Sequence, residues 1–266
     1  MKKYKTEISL RKNKRGCYIL DTVKGCSGCS NDSPGGCYGD CYANKIAIRY
    51  GYDFSRPVKR NFDSRNDQLY MFGFSDKTHE NKIINQIENI NMPFVRIGDM
   101  GDPSDEWGHT IEVCEKISQA QKPIVIITKH WKTISSSELK RIGKLNICIN
   151  TSISALDNPE EIEYRLYCYN LLNGYCKSIL RIVSCEFDTM NEEGQNRNNI
   201  QVELFKNANV IDTIFRPSKY NHFVKDGIIK TTKTKFLNGV SVASVRNKNT
   251  YFGYCNKCPE MCGINI

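Results

Sequence analysis

The chain has 266 residues, of which 39% are hydrophobic and 25% are charged, and its formal net charge is +9. These values describe an ordinary globular protein that is large enough to bury a substantial core. No apolar run approaches the roughly 20 residues of a membrane-spanning helix, and residues 1–7 lack the apolar stretch of a signal peptide, so we expect a cytoplasmic protein with no membrane partner.

The first feature along the chain is a basic segment. Residues 2–15 carry seven lysines and arginines against a single acid, Glu7. A second basic group follows, at Arg56, Lys59, Arg60 and Arg65. Such patches can bind nucleic acid or another polyanion, but a solvated basic surface is the more common explanation.

A cysteine-rich loop, residues 21–41, follows a first strand predicted at residues 17–20. Its cysteines are Cys26, Cys29, Cys37 and Cys41. In the reducing cytoplasm these thiols do not form disulfides, so metal binding is the natural interpretation. An iron–sulfur cluster held by three cysteines, with one iron open to a cofactor, suits a loop at the carboxyl edge of a parallel sheet. The alternative is a structural zinc site with four cysteines, although zinc ribbons usually place two C-x2-C pairs farther apart.

Six apolar runs alternate with helical segments up to residue 217. The strands are predicted at residues 17–20, 94–97, 124–127, 146–150, 179–183 and 210–215. The helices are predicted over residues 42–50, from Thr78, from Pro103 with Asp102 as its N-cap, near residues 137–142, from Asn158 and around residues 198–206. Continuous apolar runs that alternate with helices indicate a parallel sheet covered on both sides. The sequence therefore predicts an α/β fold, a partial (β/α)6 barrel within residues 1–217.

Polar residues lie at or near the ends of the later predicted strands. They are Thr128, Asn150, Ser152, Arg181 and Arg216. Polar groups that cluster where apolar strands finish suit the ribose, amino and carboxylate groups of a cofactor, and Asn150 and Ser152 share one side of an extended chain. For each of them, a local turn or cap is the competing explanation.

Residues 218–266 depart from the alternating pattern. Thr, Lys and Val recur through residues 230–245 and predict a β-hairpin, after which Cys255, Cys258 and Cys262 form a second cysteine group. We expect a small cysteine-rich C-terminal extension that binds an auxiliary iron–sulfur cluster, or else zinc. Three cysteines need a fourth ligand, which could be Cys26, another distant cysteine or substrate. Most of the scattered cysteines are expected to fill the core as small apolar side chains: Cys17, Cys114, Cys148, Cys168, Cys176 and Cys185.

The cysteine loop resembles a known group of proteins. The string Gly25-Cys26 … Ser33-Pro-Gly-Gly-Cys37-Tyr-Gly-Asp-Cys41-Tyr-Ala43 is similar to phage and mobile-element proteins with a Cys…Ser-Pro-Gly-Cys…Cys-Tyr-Ala signature, which are regarded as diverged radical S-adenosylmethionine proteins. Residues 95–102, 126–129 and 150–154 also resemble that group's second, third and fourth strands, and residues 255–262 resemble its cysteine-rich ending. The commonest spacing in radical S-adenosylmethionine enzymes, C-x3-C-x2-C, is not met, because Asn44 stands three positions after Cys41.

The resemblance implies a reaction and the groups that carry it. A 4Fe-4S cluster receives an electron from an external donor such as a flavodoxin or ferredoxin, and reductive cleavage of bound S-adenosylmethionine starts radical chemistry on a substrate that the sequence does not identify. Cys29, Cys37 and Cys41 are the expected ligands, with Cys26 free or lent to a second cluster. The turn that receives the amino group of the cofactor in such enzymes corresponds here to Gly98, Asp99, Gly101 and Asp102.

A second hypothesis is a metal-stapled nucleic-acid-binding protein without catalysis. The basic N-terminal segment and the aromatic residues within positions 50–74 support it, since aromatic side chains can stack on bases. The six β/α units argue against it, because a small metal-stapled binder needs no such scaffold. Iron and sulfide in the purified protein would favour the enzyme, and zinc alone would favour the binder.

Overall fold

The structure is a computed structural model that describes residues 7–29, 36–62, 78–237, 240–245, 248–251 and 254–266. Several predicted features lie outside these residues. They are Lys2, Lys3 and Lys5 of the basic segment, the Ser33-Pro-Gly stretch of the cysteine loop, Arg65, and the aromatic residues Tyr70, Phe72 and Phe74.

The described residues contain a seven-stranded, mostly parallel sheet. The first nine strands in chain order are β1 (Leu10–Lys12), β2 (Tyr18–Leu20), β3 (Val23–Lys24), β4 (Val58–Lys59), β5 (Val95–Ile97), β6 (Ile124–Thr128), β7 (Ile147–Ile153), β8 (Lys177–Ser184) and β9 (Val210–Ile214). The sheet has the order β1-β2-β5-β6-β7-β8-β9, and β3 pairs separately with β4. Only β1 runs antiparallel to its neighbour, so six strands are parallel and match the six predicted apolar runs.

Helices follow most of these strands. They are α1 (Tyr42–Arg49), α2 (Thr78–Glu88), α3 (Trp107–Ile117), α4 (Ser136–Ile142), α5 (Pro159–Leu172), α6 (Glu192–Leu204) and the short α7 (His222–Lys225). Because the parallel strands are neighbours in sequence order, right-handed crossovers put the connecting helices on one face of the sheet. Tyr169 of α5 and Leu204 of α6 accordingly pack with Leu180 and Ile182 of β8. Arg181, which alternates with these two, points to the opposite face. The α/β prediction is confirmed.

Helix starts agree with their local signals. The side chain of Asp102 accepts a hydrogen bond from the Ser104 N–H, and Pro103 begins a short 3-10 turn that leads into α3, as predicted. Asn158 forms the predicted capping box with Glu161 at the start of α5. Helix α6 begins at Glu192, earlier than predicted, because Asn191 caps it by accepting from the Gly194 N–H.

Two strands run beyond their predicted ends, which corrects the positions of three polar residues. Asn150 and Ser152 pair with Ile179 and Arg181 in the register between β7 and β8, so all three polar residues lie inside strands rather than at strand ends. The backbone hydrogen bonds of the parallel ladder continue through these residues regardless of side-chain polarity. Thr128, in contrast, is the last residue of β6, as expected.

The C-terminal part forms a second, antiparallel sheet. It contains β10 (Thr234–Leu237), β11 (Val240–Val245) and β12 (Lys248–Tyr251). The predicted hairpin is confirmed, while β12 was not predicted. Ala243 of β11 packs against Ile214 of β9, which joins this sheet to the edge of the main one. No helix within the described ranges combines the length and the apolar character needed to cross a membrane.

Candidate metal and cofactor site

The cysteine loop leaves the sheet after β2 and ends at α1. Cys26 and Cys29 form a turn closed by a hydrogen bond of 3.0 Å from the Cys29 N–H to the Cys26 carbonyl oxygen. Cys41 directly precedes the first residue of α1. Cys29 is buried, and Cys26 and Cys41 pack against the same small apolar cluster. Three of the four predicted loop ligands therefore come together.

Gly36 allows two of these cysteines to approach each other. Its φ is +79°, a conformation that glycine adopts readily. A Cβ atom at this position would lie 2.6 Å from the Cβ of Cys41 and 3.9 Å from the Sγ of Cys29. Glycine is thus required here by the backbone conformation and by the close approach of Cys41.

The loop thiols also interact electrostatically. Burial, together with the neighbouring Cys41 and Cys37 thiols, raises the pKa of Cys29 to about 11. Burial raises the pKa of Cys26 too, with further contributions from Asp102 and Asp105. A bound cation removes this repulsion, since it favours the thiolate that acts as ligand. Within the described ranges, no three Cys, His, Asp or Glu side chains already form a metal-binding group.

A buried carboxylate fixes the middle of the loop to the sheet. The hydroxyl of Tyr38 donates a hydrogen bond of 2.8 Å to Oδ1 of Asp157. Lys129, directly after β6, pairs with the same oxygen at 3.0 Å and also bonds to the Tyr38 hydroxyl. Arg165 of α5 pairs with Oδ2 of Asp157 at 2.5 Å. The loop between Cys37 and Cys41 is therefore held at the carboxyl ends of β6 and β7.

A second set of bonds holds the loop from the other side. Asp40 accepts hydrogen bonds of 2.9 Å from the Ser218 N–H and from the side-chain amide of Asn221. The same amide donates to the Tyr38 carbonyl oxygen at 2.7 Å. Sequence analysis did not identify Tyr38, Asp40 or Asn221, because their partners lie far away in the chain and no motif links them.

The predicted cofactor turn lies directly against the start of the loop. The Gly25 N–H donates to the Met100 carbonyl oxygen at 3.1 Å, and the Asp102 N–H donates to the Gly25 carbonyl oxygen at 3.2 Å. A Cβ atom on Gly101 would lie 2.4 Å from the Val23 carbonyl oxygen. Gly101 therefore permits the close backbone contact between the turn and the loop.

Asp99 is the most elaborately supported side chain of this turn. Its carboxylate pairs with Arg96 at 3.0 Å and with Arg11 at 3.3 Å, and it accepts a hydrogen bond from the Tyr42 hydroxyl. The fully buried Asp21 accepts from the Asp99 N–H at 2.8 Å and pairs with Arg11 at 2.5 Å. Burial raises the pKa of Asp21, while Arg11 opposes the rise. Sequence analysis predicted Asp99 but did not identify its supports.

Contacts within the protein explain the positions of Asp102, Thr128 and Gly98. Asp102 accepts from the Thr128 hydroxyl at 2.5 Å and from the Lys129 N–H at 2.8 Å, in addition to its capping bond. The N-cap that the sequence predicted at Asp102 is thus present. Gly98 has a φ of +95°, and a Cβ there would lie 2.6 Å from the Ile127 carbonyl oxygen.

Asn150 and Arg181 contact the C-terminal segment. Arg181 donates to Oδ1 of Asn150 at 3.1 and 2.9 Å and to the Thr213 hydroxyl at 2.7 Å. The side-chain amide of Asn150 donates to the Cys262 carbonyl oxygen at 2.9 Å. These two predicted cofactor residues therefore support the terminal cysteine group in this structure.

Ser152 and Arg216 complete the predicted set. Ser152 is buried in β7 beside Arg181 of β8. Arg216 lies two residues beyond the end of β9, and burial lowers its pKa, with a contribution from Arg15. In this structure, therefore, the predicted residues that lie directly against the loop are those of the Gly98–Asp102 turn.

The terminal cysteines lie at the other end of β2. The Cys255 N–H donates to the Arg15 carbonyl oxygen at 2.7 Å, just before β2. The Cys258 N–H donates to the Cys255 carbonyl oxygen at 3.2 Å, and the Cys258 thiol donates to Glu260 at 3.3 Å. The thiol of Cys17, directly before β2, interacts with Cys255 and also lies 3.7 Å from the Tyr18 carbonyl oxygen, to which it can donate. The two cysteine groups therefore flank opposite ends of one strand.

The pKa values of Cys17 and Cys255 shift in opposite directions. The hydrogen bond from Cys17 is the main cause that lowers the pKa of Cys255 to about 6, against the effect of burial and with help from Arg96, Arg15 and Arg181. The same bond, followed by burial, raises the pKa of Cys17. Sequence analysis assigned Cys17 to the core and missed this contact.

The sequence matches no family model and no curated protein, and the structure matches no solved structure. Soft thiol donors, an adjacent glycine-rich turn and the charged side chains of Asp99 and Lys129 occupy the carboxyl edge of the sheet. Such a combination suits a thiophilic metal and a cofactor with both cationic and anionic groups.

Proposed function

We propose that this protein is an iron–sulfur enzyme of the radical S-adenosylmethionine type, with its cluster in the loop between Cys26 and Cys41. The observation that carries the proposal is the contact between the loop and the Gly98–Asp102 turn, made through Gly25. It brings thiol donors and a candidate cofactor-binding turn to one edge of a parallel sheet. That edge is where α/β enzymes build active sites.

We infer that the fold is a partial (β/α)6 barrel with a cysteine-rich C-terminal extension, residues 218–266. Sequential parallel strands with helices on one face support the barrel, since such sheets tend to curve around their other face. The bonds from Asn150 and Lys177 to residues 262–266 support an extension that packs on that second face.

The donor set fits a cluster with one open iron. Cys29, Cys37 and Cys41 are the proposed ligands, and the approach of Cys29 and Cys41 around Gly36 supports two of them. When bound, a 4Fe-4S cluster supplies the electron for reductive cleavage of S-adenosylmethionine. Cys26 is then free, or available to a second metal centre.

Asp99 and Lys129 are the chain's own candidates for contacts to S-adenosylmethionine. The Asp99 carboxylate, oriented by Arg96 and Tyr42, attracts the cationic amino group of the amino-acid moiety. Lys129 carries the opposite charge and lies beside Tyr38, next in sequence to Cys37, so it can attract the carboxylate. We propose a cytoplasmic enzyme that takes its electron from a flavodoxin or ferredoxin. Its substrate is unidentified, and nucleic acid remains a candidate partner.

Anaerobic purification tests the proposal. We expect a brown protein with broad absorbance near roughly 400 nm, together with iron and acid-labile sulfide, because thiolate-bound clusters absorb there. Asp99→Asn should weaken S-adenosylmethionine binding in calorimetry and leave the iron content unchanged, while Glu193→Gln, in an exposed pair with Arg197, should change neither. A colourless protein that contains only zinc would contradict the enzyme and favour the nucleic-acid-binding alternative.

A further inference from the structure

Cys17 lies outside both cysteine motifs, yet the fold brings it to the terminal group. It is fully buried directly before β2, in the apolar cluster against which Cys255 and Cys262 pack, and its thiol interacts with Cys255. Cys262 is also close enough to influence it electrostatically. A sulfur from the start of the sheet therefore faces sulfurs from the last residues of the chain.

The segment that carries the terminal cysteines is firmly docked at this place. The Cys255 N–H bonds to the Arg15 carbonyl oxygen at 2.7 Å, and the Asn150 amide bonds to the Cys262 carbonyl oxygen at 2.9 Å. Gly263, with a φ of +92°, lies so close to β8 that a Cβ would be 2.5 Å from Cγ1 of Ile179. These contacts come from several strands, so the Cys17–Cys255 contact does not depend on a single loop.

The backbone of the terminal motif has the form that brings two cysteines to one metal. The bond from the Cys258 N–H to the Cys255 carbonyl oxygen closes the same i to i+3 turn that Cys26 and Cys29 form in the loop. Residues i and i+3 of such a turn project to the same side. C-x2-C turns are a recurrent source of paired metal ligands for this reason.

We propose that Cys17 is the fourth ligand of a thiophilic metal centre completed by Cys255, Cys258 and Cys262. The proposal rests on the auxiliary centre of the proposed function and supplies the ligand that the terminal motif lacks. Arg15, Arg96 and Arg181 surround Cys255 and offset the negative charge of four thiolates. Cys148 is the competing fourth ligand, and its thiol lies between the Cys262 carbonyl oxygen at 3.8 Å and the Asn150 amide at 3.6 Å. The Cys17 thiol lies 3.7 Å from the Tyr18 carbonyl oxygen and interacts with Cys255 itself. Zinc and an iron–sulfur cluster share this donor set.

Metal content in the full chain, purified anaerobically, tests the assignment. We compare Cys17→Ser, Cys148→Ser, Cys168→Ser and the Cys255/Cys258/Cys262 triple alanine variant for iron, zinc and sulfide per chain. Cys17→Ser and the triple variant should lose the same amount of the same metal, and the other two should keep the wild-type content. Loss of about half the iron with sulfide identifies a cluster, a figure that follows from two equal cysteine-bound clusters, and loss of one zinc identifies a zinc site. Full retention by a folded Cys17→Ser variant, or an equal loss in Cys148→Ser, overturns the proposal.

If Cys37→Ala and Cys41→Ala leave the metal content unchanged but Cys17→Ser lowers it, the proposed function fails and this inference stands. If Cys37→Ala and Cys41→Ala lower the metal content but Cys17→Ser leaves it unchanged, this inference fails and the proposed function stands.

Discussion

Tyr38, near the end of the cysteine loop, donates a hydrogen bond of 2.8 Å to Asp157, 119 positions later in the chain. Asp157 is buried and also pairs with Lys129 and Arg165. One carboxylate thus joins the loop to β6, β7 and α5. Because Cys37 directly precedes Tyr38, the position of that thiol depends on a contact that lies outside the cysteine motif.

Tyr38→Phe removes this hydrogen bond and the one that Lys129 donates to the hydroxyl, and it leaves the ring in place. Lys129 keeps its bond to Asp157. We expect the free energy of unfolding to fall by about 1 kcal/mol, the usual net value of one such bond. For a chain of this size that corresponds to a melting temperature lower by roughly 2–4 °C, measurable by calorimetry. Tyr164→Phe is the matched control, since its hydroxyl bonds Thr133 at 3.1 Å near the surface, and its effect should stay within about 0.5 kcal/mol. Equal shifts in both variants would contradict the role assigned to Tyr38.

Asp157→Asn has a larger expected effect, because it leaves buried cations without their partner. Arg165 is 1% exposed and Lys129 is 12% exposed. Removing one partner of a buried ion pair costs about 3–5 kcal/mol, which urea denaturation can measure. Glu193→Gln, in a solvent-exposed pair with Arg197, should cost no more than about 1 kcal/mol. A small effect at Asp157 would show that the loop is held mainly by Asp40 and Asn221.

The same carboxylate predicts how stability responds to acid. Burial tends to raise the pKa of Asp157, but Lys129 and Arg165 outweigh it and hold the pKa below the ordinary value of 3.8. The unfolded chain therefore binds this proton more readily, so the stabilisation is present above pH 3.8 and is lost as the pH falls through the lower folded pKa. Urea midpoints between about pH 3 and 6 should fall less steeply toward low pH in Asp157→Asn than in the wild type.

Asp21→Asn is the control for this pH dependence, because its sign is opposite. The pKa of Asp21 is raised, chiefly by burial. Its contribution to stability is therefore present below pH 3.8 and is lost as the pH rises through the folded pKa. Asp21→Asn should therefore lose stability toward low pH as steeply as the wild type does. A smaller loss of stability in acid for Asp21→Asn than for the wild type would contradict the raised pKa assigned to Asp21 and the lowered pKa assigned to Asp157.

Gly101→Ala tests the contact between the cofactor turn and the loop. The new methyl group would meet the Val23 and Gly25 carbonyl oxygens at 2.4 and 2.7 Å, so the two backbones must separate. We expect a loss of about 1–3 kcal/mol in stability and weaker binding of S-adenosylmethionine in calorimetry. Gly174→Ala is the control, because its Cβ would have only an ordinary contact of 3.6 Å with the Leu171 carbonyl oxygen. Unchanged cofactor binding in a folded Gly101→Ala variant would remove the turn from the proposed site.

Cys37→Ala and Cys41→Ala should each remove the loop cluster and abolish reductive cleavage of S-adenosylmethionine. Cys168→Ala and Cys176→Ala should keep the wild-type iron content. Cys168 is buried in α5, as predicted, and Cys176 is half-buried just before β8. Iron analysis and the absorbance spectrum measure the difference. Equal iron loss in all four variants would mean that the division between ligands and structural cysteines is wrong.

Local signals in the sequence predicted much of this structure. The apolar runs identified all six parallel strands, because a strand buried on both faces needs a continuous apolar stretch. Asp102 before Pro103 predicted a helix start correctly, since a cap involves only residues within one turn. The pattern was wrong about Asn150, which was predicted as the last residue of its strand and lies inside β7, because ladder hydrogen bonds do not stop at polar side chains.

The sequence by itself determined the α/β class, the order of the six parallel strands with their helices, and the two cysteine motifs, all of which depend on spacing over a few residues. It did not predict β1, β3, β4 or β12. Tertiary structure alone decided which distant groups meet. It joined Tyr38 to Asp157, Asp99 to Arg11 and Cys17 to Cys255. The physical reason is that these contacts depend on which strands become neighbours and which ends they share. Local propensities do not encode the distance between two residues that are far apart in the sequence and lie on different elements of the fold.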